Sequence, residues 1–256
     1  MTARRAGPTV ARMKEPGYEL YYWPTIQGRG EFVRLLLEEA GAPYVDVARL
    51  PASKGGGVPA MMKVMRGGHG VLPFAPPFLK HGELIVAQTA NILLYLGPRH
   101  GLAPEGEPGR LAANQLQLTI ADLVGEAHDT HHPIAGSLYY EDQKPEALRR
   151  SADFVRERLP KLLGYFERVL KQSGGSYLVD DALSYVDLSM FQVLEGIGYA
   201  FPRALARVAP TIPGLAALRD RVAERPRIAA YLASKRRLPW NESGIFRRYP
   251  ELDAEP

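Results

Sequence analysis

Between Tyr18 and Trp23 the chain alternates, with Tyr18, Leu20 and Tyr22 on one side of an extended strand and Glu19, Tyr21 and Trp23 on the other. Apolar residues on both sides predict a central strand over 18–23. The period then lengthens: Phe32, Leu35, Leu36 and Glu39 recur at helical spacing from 31 to 40, and Gly41 follows as a C-terminal stop. YVDVARL (44–50) predicts a second short strand. Residues 51–70 are rich in glycine and read as an adjustable surface segment with a short helix at PAMMKVM. PFLK and ELIVA predict a hairpin turning at His81-Gly82, and a helix follows with Thr89 as its N-cap.

The order βαβ then ββα predicts a small mixed sheet faced by helices and ending near Leu102. APEGEPG then reads as a linker, and only amphipathic helices follow, at 109–131, 144–172, 184–199, 213–223 and 226–234. The expected organisation is a flexible tail over 1–17, an α/β domain over 18–102 and an all-α domain over 109–256. Two local signals support the helical half. Ser184 and Asp187 are spaced as a capping box, and Pro226 suits the first turn of the last helix.

Composition narrows the classes. A chain of 256 residues with 46% hydrophobic content can bury a substantial core. Its formal charge of +4 comes from dispersed arginines, which argues against a nucleic-acid partner. The absence of cysteine excludes disulfides and a thiol nucleophile of the protein's own, so any thiol chemistry uses a substrate's sulfur. The most apolar window, 83–97, is interrupted by Gln88, Thr89 and Asn91, and no membrane span is expected. The head carries Arg4, Arg5, Arg12 and Lys14 without a signal-peptide core, with Met13 a candidate start.

Four stretches in this order, YELYYW with GRGEFVRLLLEEAG, PPFLKHGELIVAQTANILLYL, YLVDDALSYVDLSMF and PGLAALRDRVAERPRIAAYLAS, resemble the cytosolic glutathione transferases from Tyr18 to Ser234. The pattern is closest to the tyrosine-type sigma, mu and pi classes, with some features of the serine-type turn. The resemblance implies a thioredoxin-like N-terminal domain, an all-helical C-terminal domain and glutathione as co-substrate. It places Pro77 at a cis-proline opening the third strand, where the preceding backbone pairs with glutathione. Here that residue is Pro76, which has no N–H and leaves only its carbonyl to bond. Gln88 and Thr89 match a pair that binds the γ-glutamyl carboxylate at a helix start, which attracts anions. Asp122 matches an acid offered to the glutathione α-amine across a dimer interface, and Lys63 falls within one residue of a lysine that meets the glycyl carboxylate.

A free thiol has a pKa of about 8.5, and a hydroxyl donating to the sulfur favours the thiolate. Tyr22 takes the place of the catalytic tyrosine, and Arg29 that of the arginine supporting the thiolate. The turn to Gly28 has one residue more than the tyrosine-type pattern. Aligned without a gap, WPTIQG resembles the serine-type turn and puts Thr25 at the catalytic hydroxyl. Tyr21 and a turn with no sulfur contact remain further alternatives.

His128, His131 and His132 could share one helix face, but no catalytic Glu-x-x-His accompanies them, and no metal is expected. Tyr139 and Tyr140 are either pocket residues or a packed loop. The leading expectation is a cytoplasmic glutathione S-transferase, a homodimer that activates glutathione for attack on a small hydrophobic electrophile, with no membrane partner. The alternative is a non-catalytic glutathione-fold module for ligand binding or assembly.

Overall fold

The structure is a computed structural model that describes residues 17–67 and 71–254. The expected tail over 1–17 lies outside them except for Gly17. Four strands, β1 (Tyr18–Tyr21), β2 (Tyr44–Asp46), β3 (Phe78–His81) and β4 (Leu84–Ala87), form one sheet in the order β2-β1-β3-β4. β1 is central and runs parallel to β2, while β3 is antiparallel to both β1 and β4. The first strand stops two residues short of the predicted 18–23, because Trp23 and Pro24 already turn away toward Gly28. YVDVARL is extended only over its first three residues, since Val47–Arg49 closes into a 3-10 turn.

Helix α1 (Gly30–Ala40) joins β1 to β2, and Gly41 ends it at φ 62, its N–H reaching the Glu38 carbonyl. Alternation along the strands splits the packing. Leu20 and Leu79 face α1 and α3 (Thr89–Leu96), whereas Tyr21 and Phe78 stack on the other face beneath Met61 of α2 (Val58–Arg66). The α1 face is the one continuous with the main core.

After α3 the described residues contain helices and no further strand. They comprise α4 (Glu107–Asp129), α5 (Lys144–Asp153), α6 (Leu159–Gln172), α7 (Tyr185–Ala200), α8 (Pro202–Val208), α9 (Pro213–Ala223) and α10 (Pro226–Leu232). The predicted helix over 144–172 is continuous but widens into a π turn at Phe154–Arg158. Helix α8 was not expected; only Pro202 at its first turn signals it. The fold is therefore an α/β thioredoxin-like unit followed by an all-α region.

Helix α7 is the pillar between the two, buried along most of its length and touching both α1 and α4. Its start carries the expected capping box. Val186 N–H donates to Ser184 Oγ, Ser184 N–H donates to Asp187 Oδ2 at 2.7 Å, and Leu178 N–H donates to Asp187 Oδ1 at 2.8 Å. A cap of this kind stabilises by about 1 kcal/mol.

Candidate active site

Strand register gathers three of the sequence-selected residues at one end of the sheet. Tyr21 pairs with Phe78, and Phe78 with Ala87. One position further lie Tyr22, Pro77 and Gln88, neighbours across β1, β3 and β4. The Pro76–Pro77 bond is cis.

Tyr22 is 4% exposed, its ring clamped by the turn that follows it. A Cβ at Gly28 would stand 2.1 Å from the Tyr22 hydroxyl, and one at Gly30 would stand 2.5 Å from the ring, so only glycine fits at either position. Gly28 also sits at φ 44. The Arg29 N–H donates to the Tyr22 hydroxyl oxygen at 2.8 Å. Burial pushes the phenol pKa up, while the Arg29 amide and the Arg29 and Arg34 charges pull against it. At neutral pH the group is a protonated phenol. With its oxygen already accepting from Arg29, its proton is the part left to donate.

Beside this turn opens a cleft of about 410 Å³ between the starts of α1 and α3 and the flank of α4. It is lined by Arg29, Gln88 and Thr89, together with Asn91, Asn114 and Gln117. Thr89 is not the N-cap that the sequence suggests. Gln88 occupies that place at φ 71, ψ 124, and Thr89 is the first helical residue. Few side chains adopt that backbone region, at a cost of about 1–3 kcal/mol, and strain of this kind concentrates at ligand sites. Among the described residues no side chain caps α3, and its first residues, Thr89, Ala90 and Asn91, line the cleft. Thr89 Oγ1 is buried and unpartnered as well.

The turn is held from the far side by residues 238–253. Gln27 Nε2 donates to the Leu238 carbonyl at 2.6 Å, and Asn241 Nδ2 to the Thr25 carbonyl at 2.9 Å. His131 Nε2 donates to the Ile245 carbonyl at 2.7 Å, which fixes its tautomer, and Asp253 accepts from the Arg203 and Ala204 amides at the start of α8. His131 packs with His128 and His132 at ring separations of 4.9–5.1 Å. Burial lowers all three pKa values, that of His131 to about 3. Among the described residues no group of three or more His, Cys, Asp or Glu is disposed to hold a metal ion.

The other selected residues stand apart. Lys63 is exposed on α2, and Asp122 is exposed on α4, neither lining the cleft. Thr25 is exposed, its carbonyl tied to Asn241. Tyr140 is a core residue, stacked on Tyr249 at 3.9 Å and donating to Glu251, while Tyr139 is 77% exposed. Sequence reasoning missed Gln117. Its signal was a lone amide on the buried stripe Ala113, Leu116, Ile120, Val124 of α4.

The family profile described as "Glutathione S-transferase, C-terminal domain" matches residues 128–235. "Glutathione S-transferase P 1" of Xenopus laevis is 29% identical over 225 residues, 87% of this chain and 94% of that protein. Among solved structures, the glutathione S-transferase from Ascaris lumbricoides superposes with TM-score 0.62 at 25% identity, covering 88% of this chain and 99% of that one. The prostaglandin synthase D of Nilaparvata lugens gives TM-score 0.67 at 23% identity, covering 88% and 100%, a likeness of fold alone. Sheet order, the helical region after it and these matches agree: residues 128–235 match the glutathione S-transferase C-terminal domain, and the chain is similar in sequence and fold to the cytosolic glutathione transferases.

Proposed function

We propose that the protein is a glutathione S-transferase, holding glutathione at the sheet end and activating its thiol. The observation that carries this is the uncapped start of α3 opening on the cleft beside Arg29, whose own amide orders the Tyr22 hydroxyl. The γ-glutamyl carboxylate meets Arg29, Thr89 and the first α3 amides, with Gln88 beside them. Pro76 offers its carbonyl next to the cis bond at Pro77. Tyr22 donates its proton to the sulfur, so the bound thiol loses its own proton more readily. The thiolate then forms a carbon–sulfur bond with a hydrophobic electrophile, whose leaving group departs with the electron pair. Lys63, exposed on α2, is the candidate for the glycyl carboxylate.

We infer a homodimer working in the cytoplasm, divided into a glutathione-binding domain over 18–102 and an electrophile-binding helical domain over 109–256. The dimer reading rests on apolar surface: Phe74 is 92% exposed and Val71 89%, just before β3, and Leu111 and Leu118 are exposed on α4. Asp122 shares the exposed stripe of Leu111 and Leu118, so a second copy covering that stripe would bring it to the interface. No helix among the described residues is long and apolar enough to cross a membrane.

Calorimetric titration with glutathione, followed by pH titration of the complex's thiolate absorbance, tests the reading. Binding with a thiol pKa well below about 8.5 is expected. Binding without that depression, and without turnover of an activated aryl halide, would leave only a ligand-binding module.

A further inference from the structure

The cleft beside Arg29 holds one polar side chain that nothing in the chain explains. Gln117 sits on the inward stripe of α4, is 1% exposed, and lines the cleft with its Oε1 buried and unpartnered. A carbonyl oxygen taken out of water without a donor costs free energy that an apolar residue at the same place would not. Ile120 and Val124, its neighbours on the stripe, are the residues that such a position ordinarily takes.

The other lining groups say which donor is wanted. Arg29, Thr89 and the open start of α3 make one part of the cleft fit for a carboxylate. None of the described lining side chains is acidic, so a cation carried by the same ligand finds only amide oxygens and the Thr89 hydroxyl there, and the hydroxyl lies beside the carboxylate. A carboxylate with an ammonium on the adjoining carbon is the head of an α-amino acid.

Resting on the glutathione reading above, we propose that Gln117 is a ligand-binding residue whose side-chain carbonyl accepts a hydrogen bond from the γ-glutamyl α-ammonium, within the same chain that binds the carboxylate. The amino-acid head is then held as a zwitterion, its two charges read by separate elements. Arg29 and the start of α3 take the anion, and α4 takes the cation. Specificity follows, because a ligand lacking the amine leaves the Gln117 carbonyl unpaired in a closed site.

The test uses the full chain and two ligands, glutathione and its analogue with hydrogen in place of the α-amino group, titrated by calorimetry. Gln117→Leu should lose roughly tenfold in affinity for glutathione and none for the analogue. Gln117→Glu keeps the shape and adds charge; it should bind glutathione more tightly and the analogue no better, and it stands in should the leucine variant fold poorly. Thr89→Ala, acting on the carboxylate, should weaken both ligands alike. Equal losses for both ligands in Gln117→Leu, or no loss for either, would overturn the assignment while leaving the glutathione reading intact. Wild-type protein that binds neither ligand overturns the glutathione reading itself, a result read before any variant is made.

Discussion

Two buried polar regions lie on either side of the Gly28 turn, and they are built on opposite terms. Beneath α1 the chain satisfies itself. Arg34 Nε donates to Asp46 at 2.8 Å and its Nη1 to Glu31 at 3.1 Å, and Glu31 Oε1 also accepts from Tyr231 and from Arg237, each at 2.8 Å. Arg237 continues to Gln192, Gln192 to Gln27, and Gln27 to the Leu238 carbonyl. Only Arg34 Nη2 and Asp46 Oδ1 are left over there. Among the described residues Thr89 Oγ1 and Gln117 Oε1 have no partner, and both residues line the open space of about 410 Å³ beside Arg29. Unpaired atoms occur elsewhere, at Glu39, His131, Tyr185 and Ser189, but none of these residues lines this cleft. Location beside open volume is what separates a candidate ligand contact from a packing remainder.

The sharpest way to break the comparison is Arg34→Leu. It strips Glu31 and Asp46 of their shared cation, leaving carboxylates buried at 0% and 11% side-chain exposure. Removing one partner of such a cluster costs about 3–5 kcal/mol, read as a lower denaturation midpoint, whereas glutathione affinity of the folded protein should hardly move. A large loss of affinity instead would mean the two regions are one.

A second test uses acid. His131 has its folded-state pKa lowered from 6.5 to about 3 by burial. Between those values the unfolded chain takes a proton that the folded one refuses. Stability is therefore full above pH 6.5 and falls as pH drops, by about 2 kcal/mol at pH 5. His131→Gln should remove that part of the slope in urea titrations at pH 7 and pH 5.

Tyr22→Phe comes next. It deletes the proton donor, so the thiol pKa of the glutathione complex should rise by about one unit, or about 1.4 kcal/mol, with affinity nearly unchanged. Thr25→Ala should leave the titration alone, and so should Tyr21→Phe, whose hydroxyl donates to Glu19 on the other face of the sheet. A shift in Thr25→Ala alone would favour the gap-free alignment of the turn.

The smallest effect is expected at Thr89→Ala, about 1 kcal/mol or fivefold in glutathione affinity. Because Thr89 is not a cap and its hydroxyl has no partner among the described residues, thermal stability should stay within about 0.5 kcal/mol. Destabilisation approaching that of a lost cap would restore Thr89 to a structural role.

What the sequence made legible follows the range of each signal. Strand alternation, the Gly41 stop and the Ser184–Asp187 box are local, and each stands where its spacing puts it. Gln88 as the cap of α3 was hidden, since its φ of 71 is held by surroundings rather than by its own preference. The partners of Gln27 and Asn241 lie more than 200 positions away, beyond any pattern of spacing. Gln117 was visible as a polar residue on an apolar stripe, yet its meaning needed the cleft.

Those distant partners have a kinetic consequence. The hydrogen bonds from Gln27 to Leu238 and from Asn241 to Thr25 span 211 and 216 residues, among the longest loops the chain closes. During synthesis the strands and α1 leave the ribosome long before Leu238 exists, so the Gly28 turn must wait, unclamped, for almost the whole helical region. The geometry proposed for thiol activation is thus a late product of folding, and a nick between Leu232 and Leu238 would spare most of the core while releasing the turn that orders Tyr22.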